Sequence, residues 1–315
     1  MSIAMRTDDL YEHTMGACDL QVHAGPDLFK RIADDEDIAI ACRNAGMTAI
    51  CIKGHALNTS RSAYFVSKHV PGIDVFGGVV LNWSVGGIDS ASAIASFEIG
   101  GKAVWMPTYD AKCHADYFGM TGTYATHDLP PEERLAEGHG GSHLDFVVKG
   151  AGDKPGISVT EDGELTRSAI EVIEVVKEYN GFLGTSHISV DEIAAIIRYV
   201  RKTGHVNVLI THPLYKVPNC SPAFLKEICG GGVYAELCNG IIWPTVSNRT
   251  VDDQVEVIRT IGAEQCILSS DGGITYGSMP HDMLRVHARL LSNAGITNEE
   301  LDVMMRVNPR RALSI

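Results

Sequence analysis

Residues 18–27 read CDLQVHAGPD, and residues 266–273 read CILSSDGG. Each is a short apolar run that ends on groups able to do chemistry: Gln21 and His23 in the first, Asp271 in the second. Six more runs of this form lie between them. The set predicts strands at Cys18–His23, Thr48–Lys53, Val75–Leu81, Ala103–Pro107, Phe182–His187, Val206–His212, Val233–Leu237 and Cys266–Ser270. Most are continuously apolar, as parallel strands buried on both faces must be. Helical patterns separate them, for example Asp37–Ala45, Ser168–Glu178 and Val190–Arg201. Ser221 before Pro222 reads as an N-cap with proline at the first helical position, and Gly46 and Gly204 read as helix ends. Eight strands alternating with helices predict an α/β fold, a (β/α)8 TIM barrel, with a doubly wound open sheet as the alternative.

The barrel is expected to occupy residues 1–315 as one domain, since α/β barrels run to about 250 residues or more as single units. The connection after the fourth strand is abnormal. Residues 109–164 form a 56-residue stretch rich in Gly, His, Asp and Tyr, with little periodicity. A segment that long is usually functional, and it is read as a lid-like insertion over the barrel mouth.

Composition narrows the function classes. Lysine plus arginine is 26 against 39 for aspartate plus glutamate, a net charge of −13, which a phosphate backbone would repel. No apolar run has the length of a signal peptide core or a membrane helix. The eight cysteines include no C-x-x-C pair, and reduced, buried thiols in a cytoplasmic protein account for them. The expected partner is a small-molecule substrate, with neither nucleic acid nor membrane, and the expected assembly is a homo-oligomer. No G-x-G-x-x-G fingerprint, phosphate-binding P-loop or G-x-S-x-G elbow is present.

The strand ends carry the functional signal, because barrel chemistry sits at the C-terminal ends of the strands. Gln21 and His23 stand there, then Lys53 and His55, Asn82, Asp110 and His114, His187, His212, Glu236 with Asn239, and Asp271. One such histidine alone is most simply a hydrogen-bonded side chain. Five of the thirteen histidines on one barrel face point instead to a metal site or an acid–base cluster. Gln21 and His23 are one residue apart on a strand, so both side chains take the same face. Imidazoles and a carboxylate converging from several strands suit Zn²⁺ or a similar divalent ion with a position left for water.

These pieces resemble the amidohydrolase superfamily of metal-dependent hydrolases. The resemblance rests on DLQVHAGPD at the first strand, GTSHIS at the fifth, ITHP at the sixth, SSDGG at the eighth and the closing VNPRRAL. It spans Asp19 to Leu313 and is nearest to a branch whose first motif reads H-x-H-A-G-P-D. It implies metal ligation by His23, His187 and Asp271, with His212 in the metal shell or beside a developing oxyanion and Asp271 as general base. The first histidine of H-x-H is Gln21 here, a weaker ligand for zinc. No bridging lysine or glutamate stands in VWMPTYD after the fourth strand. One divalent ion is therefore expected, zinc first, with Mn²⁺ or Fe²⁺ as alternatives.

Lys53, in IKGH, is read as a catalytic lysine or an anion anchor, with Asn58 and Arg61 in the following loop as candidate extensions. His55, His114, Glu236 and Asn239 are candidate substrate-binding residues; His127, His139 and His143 lie further into the insertion. The expected reaction is metal-dependent hydrolysis of an amide, lactone or amidine-type carbon. A decarboxylase or other lyase on the same scaffold, and a non-catalytic barrel that has lost its ion, are the alternatives.

Overall fold

A computed structural model describes residues 13–122, 152–244, 246–275 and 277–315. The eight anticipated strands are all present: β1 (Cys18–Val22), β2 (Ala49–Ile52), β3 (Asp74–Val80), β4 (Ala103–Trp105), β7 (Phe182–Gly184), β8 (Asn207–Thr211), β9 (Val233–Cys238) and β10 (Cys266–Ser269). They form one parallel sheet in the order β1-β2-β3-β4-β7-β8-β9-β10. The remaining two, β5 (Thr160–Glu161) and β6 (Glu164–Leu165), make a small antiparallel hairpin. The sheet curls into a nearly closed (β/α)8 barrel, which decides against the open doubly wound sheet.

The seam between β10 and β1 is made of few groups. Val22 bridges Gly272, His23 N–H donates to the Gly272 carbonyl at 2.8 Å, and Ser270 N–H donates to the buried Asp19 carboxylate. Gly273 has φ +96°, and a Cβ there would collide with the His23 carbonyl. The SSDGG run thus ends in glycine because the first and last strands meet there.

Helices cover the outside. They include α1 (Asp35–Asn44), α2 (Ser60–His69), α3 (Ser90–Glu98), α4 (Lys112–Phe118), α5 (Arg167–Glu178), α6 (Val190–Thr203), α7 (Pro222–Ile228), α8 (Val251–Ile261) and α9 (Pro280–Asn293). Ser221 caps α7 by accepting from Phe224 N–H, with Pro222 in the first turn as anticipated. Ser189 and Glu192 form a capping box on α6, and Glu192 also accepts from Ser158 and Val159 N–H, which pins the far end of the insertion. Its near end is tied to that far end by Lys112 N–H to the Ile157 carbonyl and Ile157 N–H to the Asp110 carbonyl, both 2.7 Å. The centre of the anticipated lid, 123–151, lies outside the described residues, and His127, His139 and His143 fall in it.

The barrel interior has an apolar lower layer. Leu20, Cys51, Trp105, Phe182, Leu209, Tyr234 and Ile267 pack together there, with Ala312 and Leu313 of the terminal helix Asn308–Leu313 against them. Gly184 and Gly78 flank the Trp105 indole, and a Cβ on either would overlap it. The VNPRRAL segment closes this end: Asn308 donates to the Ala263 and Cys266 carbonyls, and Asn207 donates to the Arg311 carbonyl. Among the described residues, no helix is long and apolar enough to cross a membrane.

Candidate active site

At the C-terminal end of the barrel lies a cavity of about 90 Å³. Gln21, His23, Lys53, His55, His187, His212 and Asp271 all line it, so seven of the anticipated residues share one space. Three of the strand ends that carry them turn sharply. Ser186, His212 and Asp271 have φ of +52°, +30° and +52°, a region that non-glycine residues seldom occupy and that concentrates at functional sites.

Asp271 is the hub. Its Oδ1 accepts from Gln21 Nε2 at 2.6 Å and lies 3.1 Å from His23 Nε2. Burial alone would raise its pKa, but the His23 contact and the charges of His23, His212 and Lys53 hold it well below the usual carboxylate range. His23 Nδ1 lies 2.7 Å from the Lys53 carbonyl, so that nitrogen carries the proton. Burial lowers the His23 pKa, which favours the neutral ring. The Asp271 contact pulls the other way, and His23 Nε2 faces a carboxylate oxygen. Two electron-rich atoms hold that position only with a cation or a proton between them.

On the opposite wall, His187 Nε2 lies 3.3 Å from His212 Nε2, and Tyr215 packs against both rings. Burial pushes His187 well below its ordinary value and His212 down to about 4. His55 stacks on His23 with ring centroids 4.9 Å apart. Thr108 Oγ1 accepts from Asn82 Nδ2, which leaves its own proton for His55 Nδ1 at 3.0 Å.

Whether these donors fit a divalent ion can be tested on the same distances. Two ligands of one tetrahedral zinc with bonds of about 2.0–2.1 Å stand roughly 3.3 Å apart. The His23–Asp271 and His187–His212 pairs have that spacing. The donor set therefore fits in kind. Among the described residues, however, no three His, Cys, Asp or Glu side chains already converge on one point. The structure holds two half-sites that an ion would have to draw together.

Other anticipated residues are placed differently. His114, on α4, does not line the cavity; it stands behind His187, with the two Nδ1 atoms 2.6 Å apart. Glu236 and Asn239 are also absent from the lining. Glu236 Oε1 accepts from Ser269 and Asn239 Oδ1 accepts from Trp243, while Glu236 Oε2 and Asn239 Nδ2 are buried without hydrogen-bond partners among the described residues. Burial raises the Glu236 pKa to about 7. Asn58 and Arg61 line a separate groove of about 370 Å³.

Sequence reasoning missed Lys30, Arg31 and Tyr215 on the cavity wall, and Asp19 beneath it. Tyr215 follows His212 by three residues in ITHPLY, a spacing that could have suggested it. Asp19 stands two residues before Gln21. Its carboxylate accepts from Gln21 N–H and from Ser270 N–H, holding the backbone at Gln21 and at the residue before Asp271. Burial lifts its pKa to about 7. Nothing local marks Arg31: the loop after β1 brings it in by docking on the loop after β10, through an Arg31–Ile274 bridge.

The fold is that of the amidohydrolase barrels. An amidohydrolase from Pseudomonas aeruginosa superimposes with a TM-score of 0.58 at 12% identity, covering 97% of each chain. A probable 2-pyrone-4,6-dicarboxylic acid hydrolase from Acinetobacter baumannii, with citric acid bound, gives 0.58 at 10% identity, covering 96% of this chain and all of its own. Dihydroorotase from Saccharomyces cerevisiae, in complex with 5-fluoroorotic acid, gives 0.56 at 12%, covering 96% of this chain and 85% of its own. At these identities the likeness establishes the fold. Among curated proteins, none matches the sequence. The chain belongs to the family of unknown function DUF6282, whose model matches residues 16–236, from the entry into β1 to Glu236 on β9.

Proposed function

We propose that this chain is a hydrolase of a small molecule with an amide, lactone or amidine-type carbon. One divalent ion, zinc in the first instance and Mn²⁺ or Fe²⁺ otherwise, would be held by His23, His187 and Asp271, with Gln21 beside them. When bound, such an ion lowers the pKa of a water and polarises the bond to be cut. The observation that supports this reading is the gathering of His23, His187, His212 and Asp271 around one cavity, with His23 Nε2 3.1 Å from an Asp271 oxygen, a contact that a divalent ion or a proton can bridge.

The chain's own groups supply the rest. Asp271 is ionised at neutral pH and accepts the proton of the attacking water. Gln21 and His23 fix its orientation. His212, neutral above about pH 4, donates toward the oxygen that gains charge. Lys53 supplies a positive charge to the cavity floor. His55, stacked on His23, keeps that ring in place.

Replacing Asp271 with Asn keeps a coordinating oxygen but removes the proton acceptor. Turnover on a panel of cyclic amides and lactones should fall about 10²–10⁴-fold, while the metal content of the purified protein falls far less. Near-full activity in that variant would overturn the assignment. The donation from Gln21 to Asp271 favours a second reading, a non-catalytic barrel without its ion, because the amide already satisfies the carboxylate. Metal analysis of protein purified without chelator separates the two. Product formation from carboxylated aromatic compounds would mark a decarboxylase instead.

A further inference from the structure

The charged residues lining the cavity are Lys30, Arg31, Lys53 and Asp271: three cations and one carboxylate, in a chain of net charge −13. The carboxylate is already engaged by Gln21 and His23. Lys53 is not engaged. It is 1% exposed, and Nζ has no hydrogen-bond partner among the described residues. The Trp105 ring lies 5.5 Å away; burial lowers the Lys53 pKa, and the charges of Asp271 and Glu236 oppose that and favour the ammonium form. An ammonium group carries three donors, and burying it without an acceptor costs more than a surface charge of the same sign ever returns. Glu236 Oε2 is likewise buried and unpartnered, yet no ion pair joins it to Lys53 among the described residues.

Arg31 adds a second cation at the rim. Its Nε and Nη2 both donate to Asp27 Oδ2, and its guanidinium lies 5.2 Å over the Phe29 ring, so its position is held from two sides. The polypeptide has thus built a deep cation with no acceptor and a fixed cation above it, around a space that takes only a small group.

We infer that the cavity takes substrates bearing a carboxylate, which Lys53 binds at the floor while the bond to be cut lies against Asp271 and His212. The inference rests on the reading of this cavity as an active site and adds the substrate class. A carboxylate suits the small space and the single deep ammonium; a phosphate shares the charge and is distinguished by experiment.

Binding is measured by calorimetry on the full-length protein, with and without prior chelation, using succinate, its neutral diamide and inorganic phosphate as probes. Succinate should bind saturably in both preparations, at least about tenfold more tightly than the diamide, the difference one charge-assisted hydrogen-bonded pair makes, and more tightly than phosphate. Lys53→Met should weaken succinate about tenfold or more and leave the diamide unchanged, and Arg31→Gln should weaken it less. Equal affinity for succinate and the diamide in the wild-type protein overturns the inference without any variant. So does phosphate binding as tightly as succinate, or succinate binding that chelation abolishes and Lys53→Met does not. Because no readout depends on turnover, the hydrolase reading is judged separately. Hydrolysis of neutral substrates without carboxylate preference would keep that reading and remove this one; succinate binding without hydrolysis of any substrate would do the reverse.

Discussion

The barrel interior changes character within one two-residue step. Cys51, Tyr234 and Ile267 lie in the apolar lower layer; two residues on, the same strand faces present Lys53, Glu236 and Ser269. Below, Trp105 meets Phe182 edge-on at 5.6 Å and the packing is closed by Leu313 and Ala312. Above, Gln21 Oε1, Lys53 Nζ and Glu236 Oε2 are buried without hydrogen-bond partners among the described residues. Each such atom costs about 1–3 kcal/mol, whereas each large apolar side chain below contributes about 1.5–3 kcal/mol by leaving water. The lower layer holds the barrel together, and the upper layer is tolerated because it is held. Of the upper residues with such atoms, Gln21 and Lys53 line the cavity; in the lower layer Trp105 Nε1 is the atom without a partner among the described residues.

That division can be broken by moving damage from one layer to the other. Phe182→Ala should destabilise the protein by about 3–5 kcal/mol in denaturant unfolding, through lost burial and a cavity against Trp105. Lys53→Met, one layer up, should cost much less, since Nζ makes no hydrogen bond to lose. A larger loss from Lys53→Met than from Phe182→Ala would reverse the roles of the layers.

Gln21→His sharpens the comparison within the upper layer. An imidazole is a better zinc donor than an amide oxygen, and the side chain already faces Asp271. Titration of the chelated protein should show tighter zinc binding, by about tenfold for one improved ligand. Unchanged affinity would leave Gln21 as a partner of Asp271 alone.

The last test concerns a histidine in neither layer, whose effect shows only on acidification. His287 on α9 is buried against Gln254 Oε1, and burial lowers its pKa to about 3. The folded state then resists a proton that the unfolded chain accepts near 6.5. The stability contribution is full above pH 6.5 and is lost as pH falls toward 3. His287→Gln should flatten the stability slope across that window by about 1.4 kcal/mol per pH unit, one proton's worth. An unaltered slope would show that the proton uptake belongs to the site histidines.

The strands were legible because apolar runs of this length, ended by polar groups, have few other structural uses. Their edges moved by one to three residues: the fifth ends at Gly184, not His187, since Ser186 turns away from extended backbone. The histidines at the strand ends were legible for the same reason, since period and position assign a side chain to a face and an end of the barrel. Partners were not. Gln21 meets Asp271 across 250 residues, and only the closure of β10 on β1 sets that distance.

By itself, then, the chain determined the eight strands, the Ser221 cap and the candidates Gln21, His23, Lys53, His55, His187, His212 and Asp271, all properties of local period and residue type. Tertiary structure alone decided that Gln21 donates to Asp271, that His114 stands behind His187, that Glu236 and Asn239 stay off the cavity wall, and that Arg31 joins Lys53. Each of these depends on strand register and loop docking between segments far apart in the chain, where a shift of one residue turns a side chain to the opposite face.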